Sequence, residues 1–212
     1  VTVAWQVQGQ ATYAVEGSMF LGGAAIQWLR DELQWLDHAS QSEQLALSVS
    51  DNGGVYFVPA FVGMGAPFWD SSVRGSFMGL TRGVRKAHMV RSVLESLAYQ
   101  TKASFDAFKN QLSGQSFTKL RVDGGATANS FLMQFQADLL GICIERPVHL
   151  ESTAMGVAML AGLAAGLLTD DHLNVFRQIE VVYEPKDQPT LEKNYNRWYD
   201  AVNRSKGWVN ED

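Results

Sequence analysis

Two pairs of residues in this chain share one local design. Gly23 and Gln27 stand four residues apart, and so do Gly125 and Asn129. On a helix, residues four apart lie one above the other on the same face. The glycine leaves the backbone bare, so a flat base or a ribose can approach it closely. The amide one turn along can then donate or accept a hydrogen bond. Asp123-Gly124-Gly125 also follows a strand-like run and opens a helix-like one. Helix N-termini carry free N–H groups and partial positive charge, which suits a phosphate. Each feature has a plainer account as well. Gly124-Gly125 can make a tight turn, Gly23 can serve close helix packing, and Gln27 can be solvated.

The remaining reactive side chains read mostly as structure. His88 lies near a helix start and Glu95 lies inside that helix, where both fit structural hydrogen bonds. Asp123 either caps the turn that follows or sits near Mg²⁺, the cap being favoured. Arg82 could reach a phosphate, but is better read as pinning the loop near Asp70. Cys143, between Ile142 and Ile144, reads as a small buried hydrophobe. As the only cysteine of the chain it forms no internal disulfide, and it points weakly to a reducing, cytoplasmic setting. His38, His149 and His172 are scattered and form no ligand set.

The elements that must hold these residues follow from periodicity. Val1, Val3, Trp5 and Val7 alternate with polar or small residues, and a second strand over 11–15 closes a hairpin across Gln8-Gly9-Gln10. Ser18 caps a helix running to Leu36, with Gly22, Ile26, Leu29, Leu33 and Leu36 as its buried stripe. Strands follow over 55–60 and 76–80, flanking a Gly/Pro-rich loop from Phe61 to Arg74. A long helix runs from Lys86 to about Asn110, with Val90, Leu94, Leu97, Phe105 and Phe108 near one face. Beyond it come a strand over 119–122, a helix over 128–140 and a strand over 142–145. A small-residue helix packed closely on a sheet follows, with Ala154 to Leu168 as its apolar stretch. A final helix covers 190–202. Strands that come first and then alternate with helices define a mixed-sheet α/β layer fold.

Composition narrows the function classes. The chain has 212 residues, 46% of them hydrophobic and 18% charged, with a net charge of -5. No basic stripe supports nucleic-acid binding. The apolar stretch from Ala154 to Leu168 is shorter than the ~20 residues of a membrane span.

From Gly75 to Ser96 the chain reads GSFMGLTRGVRKAHMVRSVLES. Gly75, Phe77, Gly79-Leu80, His88-Met89, Ser92 and Glu95 fall at the spacing of the C-terminal signature of the FGGY carbohydrate kinases. The chain resembles that family over nearly its whole length. GMGAPFWD (63–70), GLTRG (79–83), AIQWLRDEL (25–33) and RVDGGATANSFLMQFQADLLG (121–141) are similar to its glycerol kinase branch rather than to the pentulose kinases.

The resemblance implies an actin-like ATPase (ribonuclease H-like) domain, a mixed sheet flanked by helices. It implies that residues 1–212 form the ATP-holding C-terminal half of a two-domain kinase. It carries nucleotide contact over to Gly23, Gln27, Gly125 and Asn129, with ATP or ADP and Mg²⁺ as the ligand. In the family the catalytic Asp, the phosphate-binding glycine-threonine-glycine turn and the glycerol contacts lie upstream of the residues matched here. No catalytic residue or metal ligand is therefore assigned. The upstream domain is the expected partner, and glycerol is expected to be met only through it. The alternatives are a pentulose kinase half and a stand-alone nucleotide-binding module without catalysis. A strand at the very start of the chain leaves an edge open to pairing. The chain on its own is therefore expected to form dimers or larger species; light scattering that shows a monodisperse monomer at high concentration overturns this.

Overall fold

The computed structural model describes residues 1–7, 9–112, 116–169, 171–172 and 178–209. Strands β1 (Thr2–Val7) and β2 (Gln10–Ala14) pair antiparallel, with Val3 opposite Tyr13 and Trp5 opposite Thr12. Gly9 turns the hairpin at φ 80, a left-handed value that glycine adopts without steric cost; Gln8, expected in the turn, lies outside the described residues. The hairpin leaves large apolar side chains in solvent: Trp5 is 54% exposed and Tyr13 67%.

Helix α1 covers Ala24–Asp31, shorter at both ends than its sequence periodicity predicts. The N-terminal difference has a direct cause. The Ser18 carbonyl accepts from the Ala66 N–H at 2.8 Å, tying that backbone to the glycine-rich loop instead of to a first helical turn. Gly65 permits this approach, because a Cβ there would sit 2.2 Å from the Ser18 oxygen. At the other end Gln34 turns left-handed at φ 54. Ile26, Leu29 and Leu36 are buried as expected, Leu33 is partly buried, and Gly22 is exposed.

A short helix that periodicity did not reveal follows, α2 (Gln41–Leu47). Strands β3 (Tyr56–Val58) and β4 (Ser76–Met78) pair antiparallel, Phe57 opposite Phe77, and are shorter than expected. In the loop between them Asp70 is held by the Ser72 backbone N–H at 2.9 Å and the Ser72 hydroxyl at 2.6 Å. Arg82, expected to pin this loop, is exposed and makes no contact with Asp70; the nearby serine satisfies that carboxylate first.

Helix α3 (Lys86–Gln111) crosses the core, with Val90, Leu94 and Leu97 buried and Phe105 and Phe108 partly so. Its start is held by His88, whose Nδ1 accepts from the Arg85 N–H at 3.1 Å, the structural role expected of it. Strands β5 (Lys119–Arg121) and β6 (Cys143–Pro147) pair parallel, and β7 (Ile179–Tyr183) adds to β6 antiparallel, giving a mixed sheet. Helix α4 (Ser130–Leu140) packs against β6 and α3. Helix α6 (Leu191–Arg204) closes the core with Trp198, whose Nε1–H donates to the Phe57 carbonyl at 2.9 Å.

Two expectations about packing do not hold. Cys143 is only partly buried, because its position on β6 faces Glu184. The thiol donates to that carboxylate at 2.9 Å, and the bond pushes its pKa up. Helix α5 (Ser152–Ala164) buries none of its residues, and Val157 is 65% exposed, so the small-residue stripe is not packed closely on a sheet within the described residues.

Glu95 is the one carboxylate at the centre of α3, 3% exposed. Arg91 Nε donates to Oε1 at 2.7 Å, Asn52 Nδ2 to Oε2 at 2.9 Å and the Tyr99 hydroxyl to Oε2 at 3.4 Å. Burial pushes the carboxyl above the usual carboxylate range, while these donors oppose the shift. Breaking a buried pair strands its partner, so Glu95→Ala is expected to cost about 3 kcal/mol in urea unfolding. A loss below about 1 kcal/mol, the scale of a surface pair, would show that the network is not structural.

Candidate nucleotide-binding site

The N-terminus of α1, the start of α2 and the β5-to-α4 connection meet around a cavity of about 610 Å³. Gly23, Gln27, Gly125 and Asn129 all line it, with Arg30 and Ser42. Its size lies within the range of small-ligand pockets.

The first pair is arranged as its spacing predicts. Gly23 sits at the start of α1, and its carbonyl accepts from the Gln27 N–H at 3.1 Å, so Gln27 lies one turn along with its side chain exposed. The second pair reaches the cavity by different geometry. Gly125 to Ala128 form a 3-10 turn, and Asn129 follows with extended backbone, φ -80 and ψ 104. Asn129 is the N-cap of α4, which begins at Ser130 rather than Ala128. Its Oδ1 accepts from the Leu132 N–H at 2.9 Å. The reason is local: asparagine competes well for backbone N–H groups at helix starts, so it ends the 3-10 turn instead of continuing it. Gly125 and Asn129 therefore do not stack on a helix face, and the turn itself brings them to one wall.

The glycines separate into two kinds. Gly124 has φ 83, a value that a side chain would strain, and its N–H donates to the Leu150 carbonyl at 2.8 Å. Its identity is explained by the turn. Gly125 is different: φ is not left-handed, and a Cβ there would meet nothing within 4 Å. A Cβ on Gly23 would meet only the Ala126 methyl, at 3.9 Å. The fold does not require glycine at 23 or 125; a side chain at either position would occupy space at the cavity wall. This contact also shows that the two pairs are neighbours in space.

The polar surroundings are modest. Arg30 donates through Nε and Nη2 to Asp31 at 2.6 and 2.9 Å, and this bond holds the Asp31 carboxyl below the usual carboxylate range. Asp123 lies at the cavity edge, exposed, and makes neither the expected cap contact nor any other side-chain hydrogen bond among the described residues. The Thr127 hydroxyl bonds the Gly124 carbonyl at 2.7 Å and closes the turn instead. Among the described residues no group of His, Cys, Asp and Glu is arranged to hold a metal ion, and no helix is long and apolar enough to cross a membrane. Sequence reading missed Arg30 and Ser42. Ser42 lies on α2, whose short Ser/Gln-rich run gives little helical periodicity.

Comparison with known proteins places the fold and the family. The backbone is similar to the crystal structure of Plasmodium falciparum glycerol kinase with ADP (TM-score 0.77, 32% identity, covering 86% of this chain and 37% of that one). It is also similar to the ligand-bound xylulose kinase of Lactobacillus acidophilus (TM-score 0.74, 27% identity, covering 89% and 39%). The fold class is thus an actin-like, ribonuclease H-like ATPase domain. In sequence the chain is 50% identical to the glycerol kinase of Caldanaerobacter subterraneus over 99% of its own length, and 51% identical to that of Carboxydothermus hydrogenoformans over 100%. It spans 42% of the length of each. Residues 2–165 match the FGGY family of carbohydrate kinases, C-terminal domain, and the chain belongs to that family.

Because Asn129 both caps α4 and lines the cavity, its two roles can be separated. Asn129→Ala removes the cap and the amide's hydrogen bond to the Ser42 Oγ, and is expected to lower stability by about 2 kcal/mol. Asn129→Asp keeps a capping oxygen and loses only the bond to Ser42, and is expected to lower stability by about 1 kcal/mol. Thermal unfolding of the two variants checks this; equal losses would mean that the cap is not what Asn129 supplies.

Proposed function

We propose that this chain is the nucleotide-holding, C-terminal half of an ATP-dependent glycerol kinase. The observation that carries the reading is the convergence of Gly23, Gln27, Gly125 and Asn129 on one cavity, with glycines at two positions where the fold does not demand them. Bare backbone beside a cavity of this size suits the flat faces of a base and ribose, and the two amides supply polar contacts at either wall. The curated relatives at 50% and 51% identity are glycerol kinases, and among the solved structures the glycerol kinase is 32% identical against 27% for the xylulose kinase, which supports glycerol over a pentulose as the acceptor.

In the whole protein the reaction is transfer of the γ-phosphoryl group of ATP to a glycerol hydroxyl. Such transfer depends on positioning and on neutralising charge around the phosphoryl group, for which Mg²⁺ bound to the phosphates is the usual cation. The residues of this chain supply the positioning: Gly23 and Gly125 let the nucleotide approach, and Gln27 and Asn129 orient it. The catalytic base and the glycerol contacts belong to an N-terminal domain, so this chain alone is inactive. Residues 1–212 act as one C-terminal unit. The exposed hairpin, with Val3, Trp5 and Tyr13 in solvent, is the surface through which it associates with that domain or with another copy.

Calorimetry with ATP and ADP, each with Mg²⁺, tests the site. Gly125→Val, whose Cβ meets no protein atom within 4 Å, is expected to leave thermal unfolding nearly unchanged yet weaken nucleotide binding by more than roughly tenfold. Gln27→Ala is expected to weaken it by up to about tenfold, the value of one hydrogen bond. Unchanged affinity in Gly125→Val would remove the site, and a full-length protein that phosphorylates a pentulose but not glycerol would remove the substrate.

A further inference from the structure

Asn129 is held at two points, and the second has no part in capping. Its Oδ1 takes the Leu132 N–H, so the amide nitrogen must face the other way. There Nδ2 donates to the Ser42 Oγ at 3.2 Å. Ser42 is 1% exposed, and its hydroxyl donates in turn to the Ala39 carbonyl at 2.6 Å. Every hydrogen in this run from Leu132 through Asn129 and Ser42 to Ala39 has a fixed direction, because a backbone N–H only donates and a backbone carbonyl only accepts. The hydroxyl spends its hydrogen on Ala39, so it can meet Asn129 only as an acceptor.

We infer that Ser42 is a positioning residue for nucleotide recognition: it fixes the plane of the Asn129 amide so that the second Nδ2 hydrogen is held toward an acceptor atom on the ligand. The cap bond alone sets which end of the amide faces α4. It leaves rotation about the terminal torsion loose, since such sp³–sp² torsions are broad. A second anchor removes that freedom before the ligand arrives, which is how preorganisation strengthens binding. The amide nitrogen carries two hydrogens, and one is spent on Ser42. What Asn129 offers the cavity is therefore a donor, matched to an acceptor such as a ring nitrogen of a base or a ribose oxygen.

The anchor is itself fixed. Ser42 lies in the first turn of α2, and Arg91 Nη1 on α3 donates to the Val49 carbonyl at 2.6 Å and the Ala46 carbonyl at 3.4 Å just beyond it. The same guanidinium holds Glu95. Helix α2 is thereby clamped to α3, and Ser42 cannot follow Asn129 if the amide turns.

This inference rests on the nucleotide reading of the cavity, and one double-mutant cycle separates the two. ADP affinity with Mg²⁺ is measured by calorimetry in the full-length protein for the parent, Ser42→Ala, Asn129→Asp and the double variant, with thermal unfolding alongside. Asn129→Asp keeps the cap and loses the donor; a loss of roughly tenfold is expected, and about threefold for Ser42→Ala. The double variant is expected to bind no more weakly than Asn129→Asp alone, because Ser42 acts only through that amide. Losses that multiply would show that Ser42 acts by general packing and would overturn the inference, as would unchanged affinity in Ser42→Ala while Asn129→Asp is weakened. Unchanged affinity in both single variants would overturn the nucleotide reading itself. Should Ser42→Ala fail to fold, Ser42→Cys, of similar size but a poor acceptor, runs the same cycle with the same outcomes.

Discussion

A carboxylate in the middle of a buried helix must be met by donors, and in this protein meeting it organises the neighbourhood of the site. Glu95 lies on the inner face of α3, out of water. Desolvation alone would make its charge costly by several kcal/mol. Arg91, one turn earlier, answers it and then extends to the carbonyls that end α2. Asn52 answers from the connection that leads into β3, and its Oδ1 takes the Gly54 N–H at 3.0 Å. The ionic contact thus anchors a short helix of weak intrinsic propensity and the chain that follows it. Ser42, and through it Asn129, inherit their positions from that arrangement.

The site shows how one residue type can answer to two different constraints. Gly124 is set by backbone geometry, because its left-handed conformation excludes a side chain. Gly125, its neighbour, is free of that demand and of any clash. The same contrast appears in the amides. Asn129 is tied to the fold at both ends of its amide, while Gln27 is exposed on α1 and its side chain makes no hydrogen bond among the described residues. A ligand in the cavity would meet one rigid and one adaptable amide.

Two elements, the β1–β2 hairpin and α5, leave apolar side chains uncovered without burying any in return. Both are well formed locally, with ladder and helical hydrogen bonds in place, yet neither buries a side chain deeply. Local structure and core burial are separable here. The family relatives, more than twice as long as the described chain, have sequence beyond it to place against such faces.

The sequence by itself determined the long helix α3, the hairpin and the final helix, because these depend on periodicity and turn chemistry along the chain; it also singled out Gly23, Gln27, Gly125 and Asn129, which the fold brings to one cavity, the second pair by a geometry its spacing did not predict. His88 and Glu95 were likewise legible as structural partners. Only the tertiary structure decided the rest. It moved the start of α1 from Ser18 to Ala24, since a distant N–H on Ala66 claims the Ser18 carbonyl. It made Asn129 a cap rather than a helix-face residue, and it revealed α2 and β7, whose short runs carry too little periodicity. It paired Asn129 with Ser42, 87 positions away, a contact that no local pattern encodes. The division has one physical reason. Propensity and periodicity act over a few residues, whereas a backbone carbonyl or a buried amide takes whichever partner packing brings within 3 Å.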